Sequence, residues 1–501
     1  LLMSEEKASY RSIMKATSLF GGVQVFNILI SIIRSKFVAI LLGPAGLGIV
    51  GLLQSTIGLV TSLTSFSLRR VSVKDIAAAA GTQNLKRVAL VVAVLRRLVW
   101  GTGLLGAFVA FITAPWLSQL TFGNKDYTTA FMWLSVTLLL NQLSHGQSVL
   151  LQGFRKLKLL AKANVFGSFI SLLVTVPIYY YYGEKGIVPV IIMISLTTLL
   201  LTWYFSRKIP LAKVTVSTST TFAEGKEMLT MGFTLSMSSF LPVASYYVLN
   251  IYIRNTGGIE DVGLYNSGFA IIGTYVGMIF SAMGTDYYPR LAAIAHDNLQ
   301  VKMLINQQAE VALLILAPIL GIFIVFIKWM VIVLYSSKFV SITWMINWAA
   351  LGIFFKAVSW SMAFIFLAKG KSTIFFWNEF MVNCYLLVLN IIGYYFWGLT
   401  GLGISFLITY ILYTLQVFVI AKLKYNFSFS TNFIKIFNIQ LTLGVLCFIA
   451  VYVLSEWISY AVGSVLIAAS TLISWKELDK RMDIKDIIAV NYKKLLKKKK
   501  K

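Results

Sequence analysis

Acidic residues are scarce in this chain: 18 Asp and Glu stand against 44 Lys and Arg in 501 residues, and charged residues of both signs make up only 12%. The sequence holds no P-loop, no HExxH, no GxSxG and no close carboxylate pair in a plausible pocket, so the motifs of ATPases and hydrolases are missing. Histidine is limited to His145 and His296, and cysteine to Cys384 and Cys447. Both cysteines fall inside apolar stretches without CxxC or metal-ligand spacing, which argues against a disulfide or a metal centre. Enzyme chemistry, a metal and a cofactor are therefore not expected. Segments of about ten residues with alternating polarity are missing too, which excludes a membrane β-barrel.

What the chain has in excess is apolar surface, with 58% hydrophobic residues. Runs of about 18 to 28 apolar residues recur along it, each long enough to cross a bilayer as a helix. The expected spans lie near 15–42, 45–68, 88–114, 128–150, 164–182 and 187–206, then 227–252, 263–285, 304–334, 342–367, 374–396 and 401–421, with a further pair near 438–455 and 459–475. The fold class is thus all-α, a polytopic membrane protein of about 14 transmembrane helices. Met3 to Arg11 is polar and the stretch after it is too long for a signal-peptide core, so no cleavable signal is expected.

The net charge of +26 does not point to nucleic acid. About 34 of the 44 basic residues fall in the N-terminal segment, in every second loop and in the C-terminal tail, the pattern of the positive-inside rule. Both termini are then expected on the cytoplasmic side. The tail with Lys493, Lys494 and Lys497 to Lys501 reads as a topology anchor that attracts anionic membrane lipids. Tyr179 to Tyr182 and Tyr394 to Trp397 fall at expected outer ends, where aromatic rings set depth.

A duplication runs through the sequence. Gly43-Pro44-Ala45-Gly46-Leu47-Gly48 is answered by Gly257-Gly258-Ile259-Glu260-Asp261-Val262-Gly263, Leu151 to Lys156 by Leu367 to Ser372, and Gly186-Ile187 by Gly401-Leu402, at an offset of about 215. Six spans per copy is an even number, so both copies keep one orientation and face a central cavity as two pseudo-repeat lobes. The expected division is 1–206 for the first lobe, 207–226 for a cytoplasmic linker, 227–421 for the second lobe, 422–475 for the C-terminal helix pair and 476–501 for the basic tail. Pro177, Pro242 and Pro318 fall inside spans and are candidate bends.

Function is sought among polar groups inside spans. Gln24, Asn27, Ser31 and Arg34 follow one another at i, i+3, i+7 and i+10, which places them on one face of the first span. Turning that face to lipid is unfavourable, by about 2.5–3.5 kcal/mol for a central arginine alone, so it should meet water or protein. Tyr247, Asn250 and Arg254 line a face of the seventh span and Asn266 opens the eighth. Lys356 lies near the middle of the tenth span, too deep to snorkel easily. Arg290, Arg96, Arg97 and Lys328 are candidates to extend a basic path. Glu310, Glu379 and His145 lie toward cytoplasmic ends, where the two carboxylates are candidates for ion coupling and an ion pair is the simpler role. The inference is a cationic cavity.

The stretch Ser31 to Gly48 resembles the first helix and turn of polysaccharide flippases in the multidrug/oligosaccharidyl-lipid/polysaccharide (MOP) exporter superfamily, and Leu150 to Lys156 is in keeping with the O-antigen translocases among them. Arg34 matches a cavity arginine nine residues before the turn glycine in the related lipid II flippases. The resemblance implies two six-helix lobes around an alternating-access cavity, in a bacterial inner membrane protein of lipopolysaccharide biosynthesis. The implied cargo is an undecaprenyl-diphosphate-linked oligosaccharide moved from the cytoplasmic to the periplasmic leaflet. A polysaccharide polymerase and chain-length proteins are the implied protein partners. Arg34, Lys356, Arg254 and Arg290 are then expected to hold the diphosphate, and Gln24, Asn27, Ser31 and Asn266 the rest of the headgroup. The alternatives are an ion-coupled multidrug-type exporter of the same superfamily, which calls for buried carboxylates, and a membrane scaffold for polysaccharide assembly.

Overall fold

The computed structural model describes residues 2–81, 84–211 and 214–482, with side chains from residue 26 onward except at 85, 285 and 482. Among the described residues every regular element is helical, and each of the expected spans falls largely on helical backbone, although the second runs past the end of its helix at Thr64 into a turn with positive φ at Phe66 and Ser67. Nine helical segments among them are long and apolar enough to cross a membrane, which makes this a multi-pass membrane protein. By contacts the chain divides into a first unit, 1–263 with 334–338, and a second, 264–333 with 339–501.

The duplication is written into the backbone. Left-handed φ angles recur at a constant spacing of 215 residues: Gly43 and Gly258, Arg155 and Gly370, Gly183 and Gly398. The helices follow, since α5 (Thr128–Gly153) and α11 (Thr343–Ala368) begin and end at that same spacing. The turn glycine therefore pairs with Gly258 rather than Gly257, and Leu151 to Lys156 with residues 366–371, one position off the alignment read from sequence. Gly43 (φ 67°, ψ −172°) and Gly258 (φ 88°, ψ 178°) occupy a region that L side chains avoid, and they break α1 (Leu2–Thr64) and α8 (Thr218–Ile271).

In the first unit α5 packs on α3 (Leu85–Ile112) and on α7 (Ile187–Ser206), while α1 packs on α6 (Leu157–Tyr182). The expected span at α5 is not among the nine apolar segments. Its neighbours shelter buried Ser135, Thr137, Gln142, Ser144 and Ser148, so it needs less apolar surface than a helix facing lipid. Gln142 donates to Thr102 on α3 at 2.8 Å. Two helices escaped the sequence reading because they are short: α2 (Leu68–Gly81) and α4 (Ala114–Phe122). α2 buries Leu68, Val71, Ile76 and Ala79 in a cluster with α3 and α5, and leaves Arg69 and Arg70 exposed.

The first part of α8 belongs to this unit and starts at Thr218, inside the expected linker. It runs antiparallel to the second part of α1, because Gly232 meets the Phe66 carbonyl and Ile259 meets Gly48. At those contacts a Cβ on Gly232 or Gly48 would sit about 2 Å from a carbonyl oxygen. Thr56, Thr121 and Tyr247 join α1, α4 and α8 through hydroxyl contacts of 3.1 and 2.8 Å.

In the second unit α11 is largely buried between α9 (Gly277–Ala293), α12 (Ser372–Tyr425) and α13 (Thr431–Val453). α12 reverses at Gly398: Gly401 faces the Gly393 carbonyl and Ser405 donates to the Leu389 carbonyl at 2.6 Å. The unduplicated pair, α13 and α14 (Glu456–Met482), is joined by fully buried Gln440, which accepts from Ser470 at 2.6 Å and donates to Ser474 at 3.0 Å. Pro177, Pro242 and Pro318 sit inside α6, α8 and α10 (Asn298–Leu334). Cys384 and Cys447 are free thiols.

Candidate functional site

Asn27, Ser31 and Arg34 share one face of α1, as their spacing requires, and that face meets α6. Asn27 accepts from the Ser168 hydroxyl at 2.9 Å, and Arg34 Nη1 donates to Ser171 at 3.0 Å. Asn27, Ser31 and Arg34 are all half-buried, and Arg34 has no carboxylate partner among the described residues. The Gln24 side chain lies outside the described residues. The answering stripe on α6, Ser168, Ser171, Thr175 and Tyr179, was missed in the sequence although its i, i+3, i+7, i+11 spacing is the same kind of signal.

Lys356 on α11 is half-buried and likewise has no carboxylate partner among the described residues. Its ammonium lies 5.1 Å from the Tyr410 ring, 5.6 Å from Phe406 and 5.9 Å from Phe280. Such a cage holds a cation by about 0.5–2 kcal/mol per ring without cancelling its charge. On the same hairpin Tyr413 donates to the Glu379 carboxylate at 2.6 Å and accepts from Asn378 at 3.0 Å, while Gln416 donates to the Asn378 side-chain oxygen at 2.6 Å. Glu379 thus sits in a polar network built by α12 alone. The rings around Lys356 and the amides around Glu379 were not singled out in the sequence; Phe406, Tyr410 and Tyr413 at i, i+4 and i+7 were the available clue.

Arg254, Arg290, Lys328, Arg97 and Glu310 have protein partners. Arg254 Nη2 donates to the Leu120 carbonyl at 3.1 Å, at the C-terminal end of α4, and its guanidinium fills the space beside Gly123. A cation there also meets the negative end of the helix dipole. Arg290 is exposed and pairs with Asp286 at 3.2 Å. Lys328 pairs with Glu456 at 2.8 Å, and Arg97 donates to Thr221 at 3.3 Å. Buried Glu310 accepts from Arg481 at 2.9 Å and from Ser430 at 3.3 Å. Asn266 and His145 are half-buried on α8 and α5.

Where α2 and α3 meet the start of α8, Arg87 binds Glu224 at 2.7 Å beside a cavity of about 250 Å³ that also takes in Asp75 and Glu227. Burial pushes the Asp75 carboxyl above its ordinary value; Glu227 adds to the shift and Lys74 opposes it.

Residues 37–344 match the polysaccharide biosynthesis protein family. The chain is 22% identical over 416 residues to the lipid III flippases of Escherichia coli K12 and Shigella flexneri, a match covering 80% of this chain and 96% of each relative. Its fold is similar to that of the lipid II flippase MurJ in an inward closed conformation, with a TM-score of 0.67 at 13% identity over 94% of this chain and 99% of that one. It is also similar to an inward-facing multidrug resistance MATE family transporter of the MOP superfamily, with a TM-score of 0.65 at 15% identity over 80% of this chain and 94% of that one. With a family match spanning more than half of its length, the chain belongs to the polysaccharide biosynthesis protein family.

Proposed function

We propose that this protein is a flippase that moves an undecaprenyl-diphosphate-linked oligosaccharide, of the O-antigen type, from the cytoplasmic to the periplasmic leaflet of a bacterial inner membrane by alternating access. In this reading the chain crosses the membrane fourteen times with both termini in the cytoplasm. The observation that carries it is the pair of cations, Arg34 and Lys356, on helices of the duplicated halves with no counter-carboxylate among the described residues. An uncompensated charge inside a span is unfavourable, and a mobile anionic headgroup is the partner that relieves it during each cycle. Arg34 offers paired donors to phosphate oxygens, Lys356 a point charge, and Asn27 and Ser31 hydrogen bonds to glycan hydroxyls. Ion gradient or membrane potential biases the cycle, with Glu379 as the coupling carboxylate; Glu310 is the weaker candidate because Arg481 holds it.

Ion-coupled multidrug export shares the fold, and half-buried Glu379 would serve it. The unpaired cations favour an anionic cargo. In cells whose surface polysaccharide depends on this chain, Arg34→Ala and Lys356→Met are expected to abolish display while both variants accumulate in the membrane at wild-type levels. Wild-type display by both variants would contradict the reading.

A further inference from the structure

At one end of the second unit, α9, α10, α13 and α14 enclose a cavity of about 1030 Å³. Arg290, Lys302, Lys435, Lys480 and Arg481 line it, against two carboxylates, Glu310 and Glu477. Both carboxylates are engaged. Arg481 reaches Glu310 at 2.9 Å and Glu477 at 2.6 Å, and Lys480 reaches Glu477 at 2.9 Å. Lys302 and Lys435 have no carboxylate partner among the described residues, so the cavity keeps an excess of positive charge.

Its walls change character with depth. Ile439 follows Lys435 by one turn of α13 and Ile473 precedes Glu477 by one turn of α14, so apolar side chains replace charged ones within about 6 Å. Asn306 fixes the shape by donating to the Ser428 carbonyl at 3.2 Å and accepting from the Ser430 amide at 2.8 Å, which ties α10 to the entry of α13. A charged rim above an apolar wall, between helices, matches a lipid with its phosphate at the membrane surface.

We propose that this cavity binds an anionic glycerophospholipid, with Lys302 and Lys435 holding the phosphate and the apolar wall receiving the acyl chains. Two of its four helices, α13 and α14, have no counterpart in the first half, so half of the lining lies outside the duplicated helices on which the cargo reading rests. The sequence after Met482 adds eight lysines against two aspartates, which draws this end to an anionic leaflet. The inference does not depend on the identity of the cargo.

The test is thermal unfolding of the full chain, delipidated in detergent, with phosphatidylglycerol, phosphatidylcholine or undecaprenyl diphosphate added. Phosphatidylglycerol is expected to raise the midpoint by several degrees and phosphatidylcholine not to. The Lys302→Gln/Lys435→Gln variant should start from the wild-type midpoint and lose at least half of that increment, whereas Lys302→Arg/Lys435→Arg should keep it. If the double variant starts lower, Lys435→Gln alone is read, since Lys435 is exposed. An undiminished increment in the Gln variants, or an equal one from phosphatidylcholine, would overturn the proposal. So would undecaprenyl diphosphate giving the increment at a tenfold lower concentration, which would assign the cavity to the cargo.

Discussion

Arg34 on α1 and Ser171 on α6 are joined by a 3.0 Å hydrogen bond, the one bond this guanidinium makes to a side chain among the described residues. Most of its five donors remain for an anion. Charge-assisted hydrogen bonds contribute about 1.5–3 kcal/mol, so Arg34→Ala should slow headgroup translocation about ten- to hundredfold. Ser171→Ala, which leaves the charge in place, should cost about two- to fivefold. Rates of lipid-linked glycan turnover in vesicles check both. Equal losses in the two variants would mean that Arg34 serves only to hold α6.

Lys356 should separate function from stability. Its ring cage does not neutralise the ammonium, and removing an unpaired charge from a span relieves desolvation. Lys356→Met is therefore expected to lose translocation while its unfolding midpoint stays level or rises. A midpoint several degrees lower would assign the lysine a packing role.

For Glu379 the 2.6 Å bond from Tyr413 predicts a linked pair. Glu379→Gln should abolish the response of transport to an imposed ion gradient, and Tyr413→Phe should weaken it. Transport by Glu379→Gln that still follows the gradient would remove this carboxylate from coupling.

The turn glycines give a prediction on stability. An alanine at Gly43 or Gly258 meets no neighbouring atom, yet its backbone would be strained by about 1–3 kcal/mol. Gly401→Ala should be worse, because its Cβ would fall 1.8 Å from the Gly393 carbonyl oxygen and force the two arms of α12 apart. Unfolding midpoints of the three variants, read against wild type, test this order.

Asp75 carries a pH dependence. Its folded-state value is raised by burial and then by Glu227, so the native state takes up the proton first. Stability from this group is greatest in acid and is lost as pH climbs from the ordinary carboxyl value through the raised one. Asp75→Asn should unfold about 1 °C above wild type at neutral pH, with the gap closing toward pH 4, approximately the ordinary value. A constant gap across that range would show that the carboxyl titrates normally.

Much of the architecture is legible in the sequence because lipid leaves a helix few alternatives: long apolar runs marked helical backbone, and the glycine turns marked the repeat to within one residue. α2 and α4 were hidden because a helix of two to four turns lying outside the apolar runs has no bilayer-length signature. At the site, spacing along one helix predicted that Asn27, Ser31 and Arg34 share a face, since that follows from the 3.6-residue period. Spacing is silent on what faces it. Ser168 and Ser171 are about 140 positions away, and the Lys356 rings come from α9 and α12, so only tertiary packing brings them in. Arg254 shows the limit from the other side, because a cation near a span end reads the same whether it meets headgroups, a cargo or, as here, a helix C-terminus.

The most direct test of the central claim is headgroup translocation in proteoliposomes loaded with undecaprenyl-diphosphate-linked oligosaccharide, followed by accessibility of the glycan to an external glycosidase, for wild type and for the Arg34→Ala/Lys356→Met double variant. The account predicts exchange between leaflets with wild-type protein, faster under an ion gradient, and exchange at the rate of protein-free vesicles with the variant. Equal exchange by both proteins would contradict it.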